Sequence, residues 1–167
     1  VKIEKRSADS KPFEFTKECP VCHSLLVREK DEVALRCVNA SCPAQVEGCI
    51  LHFASREAMN IEGLGPSLIS QLVKHSLVIN YADLYSLKHS DLAVLERMGD
   101  KSASNILDAI EKSKNRQLWH LIFGFGIRHV GAGAARVLAE QFGSLDSIMT
   151  ADSETLESIE DIGPVVA

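Results

Sequence analysis

Apolar residues recur along this chain in one small frame that repeats four times, each copy built around a glycine at 65, 99, 131 or 163. The intervals are 34, 32 and 32 residues. Four positions before each glycine stands Ile61, Leu95, Ile127 or Ile159, and one before it Leu64, Met98, Val130 or Ile162. Four after it stands Ile69, Ala103, Ala135 or Ala167, and seven after it Leu72, Ile106 or Leu138. A period of this length marks a stacked supersecondary unit. The i, i+4, i+7 spacing after the glycine predicts a helix with one apolar face, and alanine at the first contact predicts close approach. Each copy therefore reads as a short helix, a tight glycine turn and a second helix. Helix signals dominate after residue 47, whereas Gly, Pro and strand-type runs cluster before it.

Such a turn has a chemical consequence. Glycine admits backbone conformations that a Cβ resists, and here it bares N–H groups just ahead of a helix. Orphan donors together with the positive helix end make an anion site. Gly63-Leu64-Gly65 is the fullest copy; Arg97-Met98-Gly99, His129-Val130-Gly131 and Asp161-Ile162-Gly163 keep the second glycine only. Arg97 and Lys101 flank the second turn and Arg128, His129 and Arg136 the third, while Glu62 stands at the first and Glu160 and Asp161 at the fourth. Four hairpins in register predict a device that holds nucleic-acid backbone, with Gly63, Gly65, Arg97, Gly99, Lys101, Arg128, His129, Gly131, Arg136 and Gly163 at its contacts. Turns two and three are expected to carry most of the cationic contact. The alternative is that the glycines serve tight packing alone.

Ahead of the repeats, Cys19 and Cys22 are followed by Cys37 and Cys42 in the pattern C-x2-C-x14-C-x4-C. This spacing predicts a four-cysteine zinc site, and four thiolates leave no open position, so the metal is structural. Leu25–Arg28 and Val33–Arg36 read as two short strands joined by a polar turn over residues 29–32. A pair of disulfides is the competing reading, but no stretch reads as a signal peptide and a reducing compartment is expected. Cys49, on a following apolar helix, is expected in the core. His23 and His52 are spare ligand candidates.

The fold class that results is mainly α: a small zinc ribbon, then an all-α domain of four helix–hairpin–helix repeats in two pairs, joined by a helix over 117–125. Boundaries are expected at 1–16 (a linker), 17–47 (the zinc module) and 48–167 (the hairpins, the fourth without its second helix). With no initial Met, and with its last residue one turn into that helix, the chain reads as a piece of a larger protein. Hydrophobic residues make up 46% of it, enough for a core, and aromatics 5%. Trp119, Phe123 and Phe125 read as core packing, His120 as an ordinary histidine, and Lys112, Lys114 and Arg116 as a basic helix end. The net charge of −5 is unlike that of a basic-patch DNA binder. Asp152, Glu154, Glu157, Glu160 and Asp161, with no Lys or Arg between 150 and 167, account for all of it.

At this point a resemblance enters. The cysteine set with Asn39 and Cys42-Pro43-Ala44-Gln45, the run from His52 to Gly65, Lys101–Ile106 and Gly126–Gly131 resemble the zinc-finger and hairpin region of the bacterial NAD-dependent DNA ligases. The resemblance covers residues 17–167 and implies a parent enzyme that seals nicks in duplex DNA during replication and repair, using NAD and Mg²⁺. It implies further that residues 1–16 leave an upstream OB domain, that the hairpins contact the minor groove without sequence preference, and that zinc is held once per chain. The implied partners are nicked duplex DNA and the adenylation and OB domains of the same parent, in the cytoplasm at the nucleoid and away from membranes. No Lys-x-Asp-Gly motif is present, so the fragment alone is not expected to be an enzyme. Two other readings stand beside this one. A hairpin glycosylase/lyase would use Lys101 as its amine, and a non-catalytic repair scaffold would need only the repeats.

Overall fold

The computed structural model describes residues 15–29 and 33–167 and divides into two compact units at Cys42/Pro43. The linker expectation falls almost wholly, and the polar-turn expectation largely, outside the described residues. In the first unit β1 (Leu26–Val27) pairs antiparallel with β2 (Arg36–Cys37), in the register Leu26 to Cys37 and Val27 to Arg36. The second strand is therefore displaced toward the cysteines from its expected place at 33–36. The ladder takes hold where Cys37 anchors the chain.

The second unit is helical throughout: α1 (Pro43–Ala54), α2 (Pro66–Lys74), a 3₁₀ turn (Ala82–Ser86), α3 (His89–Ala93), α4 (Asp100–Ser113), α5 (Leu118–Gly124), α6 (Ala132–Phe142), α7 (Leu145–Thr150) and α8 (Ser153–Glu157). Its breaks follow local chemistry. Pro66 opens α2, where its missing N–H costs nothing. Gly143 ends α6 in the left-handed conformation, φ 68°. The Ser144 side chain caps α7, and the Asp152 carboxylate caps α8 by accepting from the Thr155 N–H at 2.8 Å. That bond holds the Asp152 carboxyl below the usual carboxylate range.

Two cores result. The larger gathers α1, α2, the 3₁₀ turn, α3 and α4 around Phe53, Ile50, Ile69, Leu72, Leu84 and Leu92, all buried. Phe53 stacks on Tyr81 at 4.8 Å between centroids and on Phe125 at 6.5 Å. The smaller holds Ile122, Val130, Ala135, Leu138 and Ile162, so the third and fourth turns share one core. Ala103 and Ala135 are fully buried, as expected of close helix contacts. Trp119 and Phe123 pack half-buried against the smaller core.

Cys49 departs from expectation: it is exposed on α1, beside Tyr81. The buried face of α1 is Val46, Ile50, Phe53 and Ala54, and position 49 lies off it. Arg116 departs too. Its guanidinium donates to the Ala58 carbonyl at 2.9 Å and the Arg56 carbonyl at 3.2 Å, closing the loop that leads from α1 into the first turn. His120 Nδ1 donates to the Glu57 carbonyl at 2.7 Å in the same knot. Burial, then the Arg116 and Arg136 charges, hold His120 below the ordinary histidine range against that carbonyl's pull.

Candidate nucleic-acid interface and metal centre

Backbone geometry repeats in all four turns. Each residue just before the frame glycine donates to the residue three back: Leu64 to Ile61 at 3.4 Å, Met98 to Leu95 at 3.3 Å, Val130 to Ile127 at 3.0 Å and Ile162 to Ile159 at 3.1 Å. Each glycine carbonyl then accepts from the residue four ahead: Ile69 at 3.0 Å, Ala103 at 3.0 Å, Ala135 at 2.9 Å and Ala167 at 3.0 Å. That last bond closes a turn over residues 163–167.

The left-handed residue of the turn is not the recurring glycine. It lies two positions earlier: Gly63 (φ 87°), Arg97 (60°), His129 (67°) and Asp161 (69°). Gly65, Gly99 and Gly131 are extended N-caps, with φ between −95° and −82°. Steric freedom does not account for them. Packing does not either, because a Cβ on Gly65, Gly99, Gly131 or Gly163 would meet nothing within 4 Å. What such a Cβ would fill is the open space ahead of the helix. No side chain caps α2, α4 or α6, although Ser144 and Asp152 cap α7 and α8 in the same unit. The chain thus places uncapped N–H groups behind a clear approach at its turns.

The side chains around these turns are arranged unequally. Gly63 and Arg97 line one groove of about 750 Å³ with Asn60, Ser102, Asn105 and Lys112, so the first two turns open on a shared cleft. Lys101, Arg128 and His129 are exposed at or beside their turns. Arg136 lies further along α6, its guanidinium 4.3 Å from the centre of the Trp119 ring. Ile127 is half exposed, unlike the buried Ile61 and Leu95 at the same place in the frame. Sequence reasoning missed the left-handed position. Its signal was Gly63, the single glycine at that register.

In the first unit the four cysteines converge, with all four Sγ atoms within 4.8 Å of one another. Cys19 and Cys42 Sγ are 3.9 Å apart, and Cys22 and Cys37 Sγ 3.6 Å. Four sulfurs at zinc's bond length in a tetrahedron lie about 3.8 Å from each other, close to both of these separations, so the set fits the ion. The donors come on two knuckles. His23 N–H donates to the Cys19 carbonyl at 2.9 Å and Cys42 N–H to the Asn39 carbonyl at 3.0 Å. Asn39 Nδ2 reaches Ser24 Oγ at 3.1 Å and ties one knuckle to the other. Bonds from Ser24 lower the Cys22 thiol to about 6. Cys37 is pushed up to about 12 despite the Asn39 backbone bond, because desolvation and the neighbouring thiols disfavour a further anion. Crowded sulfurs that resist carrying several charges are what a dication relieves.

Comparison with known proteins agrees with both halves. Residues 18–44 match the NAD-dependent DNA ligase C4 zinc finger domain. Residues 55–112 match a SAM-like helix-hairpin-helix tandem and 120–167 a helix-hairpin-helix motif. A DNA ligase of Anoxybacillus flavithermus is 52% identical over 164 residues, covering 98% of this chain and 24% of that relative. DNA ligases of Limosilactobacillus reuteri and Listeria monocytogenes are 50% and 52% identical over 99% and 98% of the chain. The chain spans about a quarter of the length of these relatives.

Proposed function

Since the chain corresponds to the zinc-finger and helix–hairpin–helix region of the NAD-dependent DNA ligases, we propose that it is the part of such a ligase that holds duplex DNA by its backbone. One observation carries the reading: recurring glycines that neither strain nor packing explains, three of them, Gly65, Gly99 and Gly131, set before an uncapped helix. A phosphate oxygen reaching those N–H groups needs the space a Cβ would occupy. Arg97, Lys101 and Arg128 add charge at two of the turns. Contacts of this kind carry no base information, so binding is sequence-tolerant. The zinc ion, held by Cys19, Cys22, Cys37 and Cys42, has no open coordination position and acts as a structural crosslink.

The parent reaction belongs to the rest of the polypeptide. On this reading the adenylation domain supplies the NAD and Mg²⁺ chemistry, an OB domain precedes the zinc finger, and the hairpins hold the minor groove of nicked duplex at the bacterial nucleoid. The relatives' names and the zinc-finger match support the NAD-dependent ligase parent. The lyase reading of Lys101 gains nothing: this residue lies exposed in the first turn of α4, and the relatives compared above are named DNA ligases.

The test is anisotropy with a labelled nicked duplex. Gly131→Leu is expected to weaken binding at least about tenfold, while loss of a favourable N-cap residue costs the fold only about 1 kcal/mol. Unchanged affinity with an intact melting curve would remove the hairpins from the interface.

A further inference from the structure

We propose that only three of the four hairpins grip DNA, and that the fourth keeps the turn's backbone while repelling phosphate, so that the contact surface ends at the third. This rests on the DNA-binding reading above. The geometry of the fourth turn is that of the others: Ile162 donates to Ile159 at 3.1 Å, Ala167 to Gly163 at 3.0 Å, and Asp161 is left-handed at φ 69°. Space ahead of Gly163 is open. The chemistry is opposite. Where the second and third turns place Arg97 and His129 in the left-handed position, the fourth places Asp161 with Glu160 beside it, both exposed. Over matching windows, residues 127–135 carry Arg128 and no acid, whereas 159–167 carry Glu160 and Asp161 and no base. Helix α8 adds Glu154 and Glu157 just upstream.

The position of this copy fixes what its charge does. Ile162 is 3% exposed and shares a core cluster with Val130, so the anionic turn is packed beside the most cationic one. Screening reaches about 8 Å at physiological salt, so each turn's charge acts on the phosphates at its own mouth. The fourth hairpin is therefore retained for packing, through Ile162, and its mouth keeps a neighbouring strand off. The second hairpin pair becomes one-sided, with a phosphate grip on one flank and an excluded flank on the other.

Binding of the whole chain to labelled nicked duplex, measured at low and at physiological salt, tests this with three variants. Gly163→Leu is expected to stay within about twofold of the wild type, where Gly131→Leu loses about tenfold or more. Glu160→Gln/Asp161→Asn is expected to tighten binding about two- to fivefold at low salt, with the gain shrinking as salt screens it. A loss for Gly163→Leu equal to that of Gly131→Leu, at unchanged melting temperature, overturns the proposal. So does weaker binding by the double variant, which adds no bulk and so stands if Gly163→Leu misfolds. A wild-type chain that binds no duplex overturns the DNA-binding reading and this proposal with it, an outcome distinct from the other two.

Discussion

Arg97 is where fold and function pull in opposite directions. A left-handed backbone costs an L-residue with a Cβ about 1–2 kcal/mol, yet Arg97 holds φ 60° at the register where the first hairpin has Gly63. His129 and Asp161 are residue types that tolerate this region better; arginine is not. Strain kept at a position facing the shared cleft fits a residue held for its charge. Arg97→Gly separates the two roles. It removes the Cβ penalty and loosens the unfolded chain by somewhat less, so the fold is expected to gain about 0.5–1 kcal/mol. The same change deletes one phosphate partner, so the slope of log affinity against log salt should become shallower by about 0.9. Urea unfolding and a salt titration of duplex binding read the two effects separately. A variant that loses stability, or keeps the wild-type slope, would show that Arg97 serves packing and not the ligand.

Elements differ in what sustains them, and zinc is the sharpest case. The first unit has two strands of two residues each and leaves Val21, Leu25, Val27 and Val38 exposed, so its fold owes little to apolar burial. Structural zinc supplies about 10 kcal/mol or more in comparable peptides. Cys37→Ser, or chelation, should therefore melt residues 15–42 while the helices keep their far-ultraviolet dichroism and cooperative melt. Simultaneous collapse of both would show that the helical unit depends on the metal. The same contrast explains what could be read from the residues alone. Cysteine spacing and the four-fold frame carried the zinc site and the hairpins, because ligand count and an i, i+4, i+7 face are encoded locally. The register of β2 was not legible, since so short a ladder is placed by the metal corner and not by strand propensity. Cys49 was misplaced because an apolar helix does not announce which face is covered. Arg116 looked like a surface cation; its carbonyl partners at Arg56 and Ala58 lie some sixty residues away in sequence. The turn's left-handed position was masked by Arg, His and Asp in three copies.

At the scale of the whole molecule the charge balance decides how DNA would be held. Eighteen bases face twenty-three acids, so no broad positive field draws the duplex in. What remains is local: backbone N–H groups at the turns, and Arg97, Lys101 and Arg128 as nearby cations. Arg136 is already placed over Trp119, within the smaller core's shell. With about three phosphates neutralised by side chains, the slope of log affinity against log salt should be near −3. Raising salt from 50 to 200 mM should then weaken binding roughly 50- to 100-fold, where a protein with six to ten such contacts loses about 10³–10⁵. Uncharged N–H donors release few counterions, so they supply affinity that survives at high salt. Anisotropy across that range decides the matter. A slope of −6 or steeper would mean that further cations, Lys112 on α4 and Lys114 just past its end foremost, lie along the backbone, and that the turns orient the duplex more than they hold it.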